Sequence, residues 1–280
     1  MTIQEAQQQL LFQLFHVYDE REARNIADLV MEHVTEWKRI DRIINKIVPL
    51  SSIKEKELAE FTAQLLDHKP VQYVLHEAWF AGLRFYVDEN VLIPRPETEE
   101  LTDWISKENS GGIILDIGTG SGCIPVSLKN KLALADIHAC DISMGALAVA
   151  QRNALENKTV IQFHQIDFLD PEQRKSLPVF DVIVSNPPYI PQKDKQEMHK
   201  NVLNHEPHIA LFVADNDPLI FYRAIAEFAS DHLKKDGAIY VEIHESLGTD
   251  VVRLFIESGF TKTILRKDLQ ERDRMVKAMR

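Results

Sequence analysis

The second part of this 280-residue sequence alternates short apolar runs with helical patterns. The predicted strands are Ile113–Ile117, Ile137–Cys140, Val160–Phe163, Val182–Ser185, Ala238–Ile243 and Phe260–Leu265. The helix before the fifth strand is predicted to have Asp217 as N-cap and Pro218 as its first residue, and to end before Gly237. Such alternation is typical of βαβ units and a mostly parallel sheet. We therefore expect an α/β fold.

The first part of the sequence is helical in pattern. Apolar residues recur at helix spacing in two stretches: Ala23, Ile26, Ala27, Val30, Val34, and Ile40, Ile43, Ile44, Ile47. Capping boxes are predicted at Thr2 with Glu5 and at Ser52 with Glu55. The run from Trp79 to Val87 reads as strand, glycine turn and strand. We predict a small all-α N-terminal domain over residues 1–75, a β-hairpin linker over 76–94 and the α/β domain over 95–280.

Charge and cysteine content bear on partners and compartment. The formal net charge is −11, and an acidic surface repels phosphate backbones, which disfavours nucleic acid as a partner. The clustered basic residues are interpreted as one solvated helix face: Lys38, Arg39, Arg42 and Lys46. Two cysteines, Cys123 and Cys140, cannot form a disulfide framework and are expected in the core. With no signal-peptide pattern and no apolar run near 20 residues, we expect a cytoplasmic protein without a membrane partner.

A glycine-rich turn follows the first predicted parallel strand. The stretch Asp116-Ile117-Gly118-Thr119-Gly120-Ser121-Gly122 opens a helix, and its glycines allow a ligand to approach the backbone closely. Its spacing is neither the dinucleotide fingerprint nor a phosphate-binding P-loop, which disfavours ligands that carry a pyrophosphate. The alternative is a tight turn that binds nothing. The candidate cofactor-binding residues here are Gly118, Thr119, Gly120, Ser121 and Gly122.

Polar residues follow the next two strands as well. Asp141 can accept hydrogen bonds from both hydroxyls of a ribose, although it can also serve only to begin a helix at Ser143. Asp167 and Phe168 supply a polar group and a flat apolar face that suit an adenine ring. Together with the glycine turn, these residues predict an adenosine site across successive strand ends.

The fourth strand ends in Ser185-Asn186-Pro187-Pro188-Tyr189-Ile190. Prolines cannot extend a strand, so the Asn186 amide and the Tyr189 ring are presented at the carboxyl end of the sheet. The Asn186 side chain and the Pro187 carbonyl are two adjacent acceptors, suited to a planar NH₂ group, and Tyr189 can pack over that group. The alternative is a rigid turn. We take Asn186, Pro187 and Tyr189 as candidate catalytic residues and Asn186 to Tyr189 as candidate substrate-binding residues.

With these motifs the chain resembles S-adenosylmethionine-dependent amino-methyltransferases, and among them the peptide chain release factor glutamine methyltransferases, the HemK/PrmC family. The resemblance covers nearly the full length. Its most specific part is Leu92-Ile93-Pro94-Arg95-Pro96-Glu97-Thr98-Glu99, and it continues through Glu206-Pro207 to Asp268-Leu269-Gln270-Glu271-Arg272-Asp273-Arg274. Val213-Ala214 and Ile243-His244 depart from the pattern, outside the predicted site.

The resemblance implies a Rossmann-like class I methyltransferase that uses S-adenosyl-L-methionine. It implies that Gly118 to Gly122, Asp141, Asp167, Phe168 and Asn186 contact the cofactor. It implies that Asn186 to Tyr189 bind the glutamine of the Gly-Gly-Gln loop of class I release factors, with N5-methylglutamine as product. The N-terminal domain would recognise that substrate. Arg95 and Glu97 would either close over the methionine portion of the cofactor or pin the linker.

Three functional hypotheses remain open at this point. Protein glutamine methylation leads, because methylation of DNA or RNA adenine predicts a basic groove that the acidic composition disfavours. A non-catalytic cofactor-binding module is the third, and the intact Asn186 and Tyr189 count against it. No metal site is expected, since the spacing of His205 and His208 matches no zinc motif.

Overall fold

The structure, a computed structural model, describes residues 1–280 apart from the side chain of Glu197, and it divides into two units. The first unit comprises Met1–Glu77 and His199–His205, and the second comprises Ala78–Met198 and Glu206–Arg280. The sequence did not predict that a short later segment groups with the first unit. The three predicted domain bounds stay predictions.

The first unit is built from helices. They are α1 (Ile3–Leu14), α2 (Glu20–Thr35), α3 (Arg39–Ile44), α4 (Ser52–Leu66), α5 (Val71–Leu75) and, from the later segment, α10 (Lys200–His205). The capping box of Thr2 and Glu5 is confirmed. The second predicted box is wrong by one residue, because Ser51 is the N-cap of α4 and its side chain accepts from the amide of Lys54.

The predicted solvated basic face is wrong for one of its members. Arg42 is buried in the first unit, where it donates to Asp28 Oδ1 at 2.8 Å and to the Trp37 carbonyl at 2.9 Å. A buried guanidinium needs such partners, and Asp28 on α2 supplies one. Lys38, Arg39 and Lys46 are exposed, as predicted.

The second unit begins with the predicted hairpin. Strands β1 (Ala78–Phe80) and β2 (Leu83–Phe85) pair antiparallel, with Ala81 and Gly82 in the turn at positive φ. The rings of Phe80 and Phe85 are buried in a hydrophobic core of the second unit. They pack edge to face, with their centres 6.1 Å apart. The hairpin therefore belongs to the packing of the second unit.

A seven-stranded sheet forms the centre of the second unit. Its strands are β3 (Ile113–Ile117), β4 (Asp136–Asp141), β5 (Gln162–Gln165), β6 (Phe180–Ser185), β9 (Leu233–Glu242), β10 (Lys262–Lys267) and β11 (Asp273–Met279). Their order in the sheet is β10-β11-β9-β6-β3-β4-β5. Strands β9, β6, β3, β4 and β5 are parallel, and β11 runs antiparallel to both neighbours. This confirms the Rossmann-like class I methyltransferase fold with a mostly parallel sheet.

Helices and a small two-stranded sheet complete the second unit. The helices are α6 (Pro96–Glu108), α7 (Cys123–Lys131), α8 (Met144–Glu156), α9 (Pro171–Arg174), α11 (Ile220–His232) and α12 (Gly248–Glu257), and the small sheet pairs β7 (Ile190–Pro191) with β8 (Phe212–Val213). Alternate residues of the central strands enter two separate cores. Leu115, Ile183 and Ile239 face one core, while Ile114 and Val182 face the other, so both faces of the sheet are covered.

Several predicted boundaries differ from the structure. The third and sixth predicted strands are each displaced by two residues toward the C-terminus, and β11 was not predicted. The helix predicted to start at Asp217 begins at Ile220, and Asp217 instead pairs with Arg223 at 2.9 Å. Gly237 lies inside β9, where a Cβ would come within 2.8 Å of the Asp181 carbonyl. This glycine reflects close strand approach and does not end a helix.

The connections between the parallel strands lead to opposite sides of β3, an arrangement that leaves a crevice for a ligand at the carboxyl ends of the strands. β3 pairs with β4 on one side and with β6 on the other, so the chain order reverses between β3 and β6. Open α/β sheets bind ligands at such a point. Both predicted cysteines are buried and free. Within the described residues, no helix is both long and apolar enough to cross a bilayer.

Candidate active site

A cavity of about 240 Å³ lies at the carboxyl ends of β3 to β6. The structure brings most of the predicted site residues to it: Gly118, Gly120, Asp141, Asp167, Phe168, Asn186, Pro187 and Pro188. The segment 90–92 and three later residues, Ile209, Ala210 and Phe221, also line it and were not predicted. Four predicted site residues are not among the residues that line the cavity: Thr119, Ser121, Gly122 and Tyr189.

The glycine turn is held against the end of β4. The amides of Gly118 and Thr119 both donate to the Cys140 carbonyl, at 2.9 and 3.0 Å. Gly118 and Gly120 have φ of +72° and +53°, and a Cβ at either would meet no atom within 4 Å. Backbone conformation, together with space for a ligand, therefore explains these two glycines.

The remaining turn residues serve the packing of the helix that follows. Gly122 is the N-cap of α7, and a Cβ there would come within 3.0 Å of Ala150. The carbonyl of Ser121 accepts from Asn153 Nδ2 at 2.9 Å. Their place behind the cavity indicates that they shape the turn, and direct cofactor contact by either one stays a prediction.

Asp116 is a buried carboxylate at the base of the glycine turn. It is fully buried, and neither carboxylate oxygen has a hydrogen-bond partner among the described residues. Thr119 Oγ1 is likewise buried and unpartnered within the described structure. Burial raises the pKa of Asp116 to about 7. The neighbouring Thr119 side chain opposes that rise, and neither residue is among those that line the cavity. Because buried polar groups are normally paired, the Asp116 carboxylate is an unusual feature beneath the turn.

Asp141 can fill both roles that the sequence left open, the start of the helix at Ser143 and the binding of a ribose. Its Oδ1 accepts from the amide of Ser143, the N-cap of α8, at 2.9 Å. Its Oδ2 accepts from the amide of Gly120, also at 2.9 Å. Each oxygen has a second lone pair, and the residue lines the cavity, so two further donors such as ribose hydroxyls can be accommodated. Burial raises the pKa of Asp141, and its backbone hydrogen bonds oppose that rise.

Phe168 presents a fixed aromatic surface to the cavity. Its ring packs edge to face against Phe228 at 5.2 Å, and the guanidinium of Arg174 lies 5.1 Å from its centre. Asp167 Oδ1 accepts from the amide of Leu169 at 3.0 Å, which closes the turn between them. A rigid apolar face beside Asp141 suits the flat ring of an adenosine.

The amide of Asn186 is held by a chain of hydrogen bonds. Asn186 Nδ2 donates to Thr98 Oγ1 at 3.1 Å, and Thr98 Oγ1 donates to Glu242 Oε2 at 2.6 Å. This leaves Asn186 Oδ1 without a hydrogen-bond partner among the residues described. An acceptor at the cavity wall is thereby available to a substrate N–H group.

Tyr189 is held against Glu242 and is not among the residues that line the cavity. Its hydroxyl donates to Glu242 Oε1 at 3.1 Å, and its ring lies 6.0 Å from that of His244. His244, one of the departures from the family pattern, was expected outside the site and in fact neighbours Tyr189. Packing of Tyr189 over a planar substrate group stays a prediction.

Glu242 and Thr98 are residues of the site that the sequence reasoning missed. Both are buried, at 1% and 2% exposure. Burial raises the pKa of Glu242 to about 7, against the effect of the hydrogen bonds from Thr98 and Tyr189. An acid at the end of the otherwise apolar run Ala238-Ile239-Tyr240-Val241 was the available indication, since buried acids are rare without a partner.

Arg95 is engaged by an acidic residue of the same unit. Its Nη2 donates to Glu206 Oε1 at 2.6 Å, and Glu206 Oε2 accepts from the amide of Ile93 at 3.2 Å. Of the two roles considered for Arg95, this geometry favours pinning the linker segment. No group of three or more potential metal ligands exists among the described residues.

The residues that line the cavity suit the nucleoside portion of S-adenosylmethionine by their own chemistry. Asp141 and Phe168 line the cavity and suit a ribose and an adenine, while Asp116 lies beneath the glycine turn, outside the lining residues. These residues are therefore compatible with the cofactor of class I methyltransferases.

Two protein families match the sequence. The Methyltransferase small domain matches residues 97–209, and the PrmC N-terminal domain matches residues 5–75. Among solved structures, a methyltransferase from Pyrococcus furiosus matches with a TM-score of 0.50 at 21% identity, covering 77% of this chain and 96% of that one. A T. thermophilus 16S rRNA methyltransferase, solved with AdoMet and guanosine, matches with a TM-score of 0.51 at 18% identity, covering 73% and 50%. At these identities the structures support the fold alone.

Curated relatives match over nearly the whole sequence. A release factor glutamine methyltransferase of Flavobacterium psychrophilum is 44% identical over 99% of this chain and 99% of its own length. One of Bacteroides thetaiotaomicron is 39% identical over 94% of this chain and 95% of its own length. This chain is therefore a methyltransferase and belongs to the release factor glutamine methyltransferase family.

Proposed function

We propose that this enzyme transfers a methyl group from S-adenosyl-L-methionine to the side-chain amide nitrogen of the glutamine in the Gly-Gly-Gln motif of peptide chain release factors. The relatives' names support the substrate class. One observation in the structure carries the proposal: Asn186 is held through its NH₂ group, so its oxygen is left at the cavity wall to accept from a substrate amide.

The cofactor would be held by the turn and strand ends described above. Gly118 and Gly120 would let the cofactor approach the backbone of the turn closely. Asp141 would bind the ribose, and Phe168 would pack on the adenine. The negative charge of Asp116, beneath the turn, would favour the positively charged amino group. When bound, S-adenosylmethionine supplies an electrophilic methyl carbon on a sulfonium. Asp167, Thr119, Ser121 and Gly122 would act by fixing the shape of this half of the site.

The chain's own contribution to transfer is orientation of a weak nucleophile. An amide nitrogen has its lone pair tied up by resonance, so the substrate NH₂ must be held in the one geometry that allows attack. Asn186 Oδ1 and the Pro187 carbonyl would each accept a hydrogen bond from one N–H group of the substrate amide. As the new N–C bond forms, the bond between the methyl carbon and the sulfonium sulfur would break, with its electron pair left on sulfur. The nitrogen, positively charged after attack, would then lose one proton to solvent. Before that proton leaves, the two acceptors would stabilise the positive charge that develops on the nitrogen.

The other parts of the motif and chain complete the proposal. Pro187 and Pro188 fix the backbone after β6, which keeps both acceptors in place. The helical first unit would recognise the release factor. Since release factors act in translation termination, the proposal places the reaction in the cytoplasm.

The proposal is tested by mass spectrometry of a purified release factor incubated with this enzyme and methyl-labelled S-adenosylmethionine. We expect one added methyl group on the Gly-Gly-Gln peptide, and none on a release factor whose glutamine is replaced by alanine. Parallel incubations contain DNA and RNA. Label found only on adenine in either nucleic acid, or in no macromolecule, would overturn the proposal.

A further inference from the structure

The two ends of the Asn186–Tyr189 segment converge on one carboxylate. Glu242 is the last residue of β9, and the pairing of Ser185 with Val241 places it next to Asn186 in the sheet. Its Oε2 accepts from Thr98 Oγ1, which in turn accepts from Asn186, and its Oε1 accepts from the Tyr189 hydroxyl. We propose that Glu242 is a positioning residue, whose carboxylate decides which end of the Asn186 amide faces the substrate.

The direction of each hydrogen bond follows from the charge on Glu242. An ionised carboxylate can only accept, so Thr98 must direct its hydroxyl proton at Oε2. The Thr98 oxygen then has only lone pairs to offer to Asn186. Asn186 must therefore turn its NH₂ toward Thr98, and its oxygen toward the cavity. This inference rests on the proposed function, because the orientation matters only if the substrate group is an N–H donor.

The groups around Glu242 balance its charge only in part. Arg274 on β11 favours the ionised form, while Glu97 on α6 opposes it. The Tyr222 hydroxyl donates to the Glu242 backbone carbonyl at 3.1 Å, and Cys123 also lies within electrostatic reach of the carboxylate. Arg274 itself is shared with Asp268, to which it donates at 3.1 Å. A buried charge without a dedicated cation is costly, and a neutral glutamine of the same shape would serve packing equally well.

Protonation of Glu242 allows these hydrogen bonds to run in the opposite direction. A protonated carboxyl group can donate to Thr98 Oγ1, and the Thr98 hydroxyl is then free to donate to Asn186 Oδ1. The amide loses its preference and can present NH₂ to the cavity, where it would repel a substrate N–H. Since burial raises the pKa of Glu242 to about 7, turnover should rise with pH through the neutral range.

The kinetic test compares Glu242→Gln and Thr98→Val with matched controls. Each variant should lower kcat by roughly 10²-fold, the effect expected of a misplaced reacting group, with the Kd for S-adenosylmethionine little changed. Thr98→Val should also lower the melting temperature by a few degrees, because the buried Glu242 carboxylate loses a partner, whereas Glu242→Gln should not. Thr98→Ser should retain activity. Thr102→Val replaces a buried threonine one turn along α6, and Glu108→Gln replaces a carboxylate that also accepts from a tyrosine. Both controls should keep wild-type kcat.

Two features separate a positioning role from a structural one. The double variant of Thr98→Val and Glu242→Gln should be no slower than either single variant, because both break one chain. The rise of kcat with pH in the wild type should be absent from Glu242→Gln. Additive losses, or an unchanged pH profile in Glu242→Gln, would overturn the proposal.

A substrate-free measurement keeps this proposal distinct from the proposed function. In ¹⁵N-labelled enzyme, the side-chain amide signals of Asn186, identified by their loss in Asn186→Asp, should shift with pH in the wild type with a midpoint near that of Glu242. They should be independent of pH in Glu242→Gln. Wild-type signals that do not move between about pH 5.5 and 8.5 would reject the role of Glu242, even if a release factor is methylated. If no release factor is methylated but the signals behave as expected, the proposed function alone fails.

Discussion

The two halves of the site are built on opposite principles. Around the glycine turn, the structure leaves polar atoms without partners, such as the Asp116 carboxylate, and leaves open space over Gly118 and Gly120. Around Asn186, the NH₂ group, the Thr98 hydroxyl and the Glu242 carboxylate satisfy one another, and the Asn186 oxygen is left as the acceptor for a substrate. A half that is unsatisfied by the protein is completed by its ligand, whereas a satisfied half holds a single group in a fixed orientation. Binding and transfer should therefore respond to different substitutions.

The largest separation is expected from Asn186→Ala. Loss of the positioned acceptor should reduce kcat by about 10³-fold, comparable to removal of one group that stabilises a transition state. The Kd for S-adenosylmethionine, measured by calorimetry, should stay within about threefold of wild type, since in the proposal Asn186 mainly holds the substrate amide. Asn157→Ala, at a surface asparagine that donates to the Arg84 carbonyl, is the control and should keep both values. Equal losses of affinity and turnover would remove the distinction between the halves.

The converse change is Gly118→Val. A β-branched residue is strained at φ +72°, by about 1 to 2 kcal/mol, and its side chain would occupy the space kept open for a ligand. Affinity for S-adenosylmethionine should fall by at least about tenfold. Gly259→Val provides the matched control, because Gly259 has φ +92° at the end of α12, away from the cavity. Both variants should lower the melting temperature, but a similar loss of affinity in the control would show that strain alone is responsible.

Asp116→Asn should separate stability from binding. The pKa of Asp116 is raised in the folded chain, so its burial as a charge destabilises the ligand-free protein fully above pH 7 and less as the pH falls toward 4. At pH 8 the free energy of unfolding of the asparagine variant should exceed that of wild type by on the order of 1 to 3 kcal/mol. This difference should shrink in acid. Its affinity for S-adenosylmethionine should be lower.

Thermal unfolding at pH 5 and pH 8, with and without the cofactor, measures both effects of that substitution. If the variant is less stable than wild type at pH 8 without ligand, the unpartnered carboxylate is not a cost to the fold. The comparison between an unsatisfied and a satisfied half would then fail at its central residue.

The smallest effect is expected from Arg95→Gln. Loss of the pair with Glu206 should lower the melting temperature by a few degrees, because a buried carboxylate keeps only the Ile93 amide as a partner. Turnover should fall only a few-fold. If Arg95 pins the linker, calorimetry should show an unchanged Kd for S-adenosylmethionine. A marked loss of affinity would instead assign Arg95 to the cofactor half.

Local patterns predicted the part of the fold that depends on near neighbours in sequence. The run from Ile113 to Ile117 gave a strand with its observed bounds, and the glycine turn and Asn186 were found because each directly follows a strand. Asp217 and Gly237 misled because each has a tertiary function, an ion pair with Arg223 and close approach to Asp181. Strand β11 was missed because its charged residues conceal a buried face.

The composition of the chain, its strand periodicity and its motif order determined that a parallel sheet would present a cofactor turn and an amide acceptor at one edge. Only the tertiary structure decided how that amide is oriented. Thr98 and Glu242 lie 88 and 56 positions away from Asn186 in sequence, and no local pattern relates them. Hydrogen-bond direction is a property of groups brought together by folding, because it depends on which neighbour holds the charge.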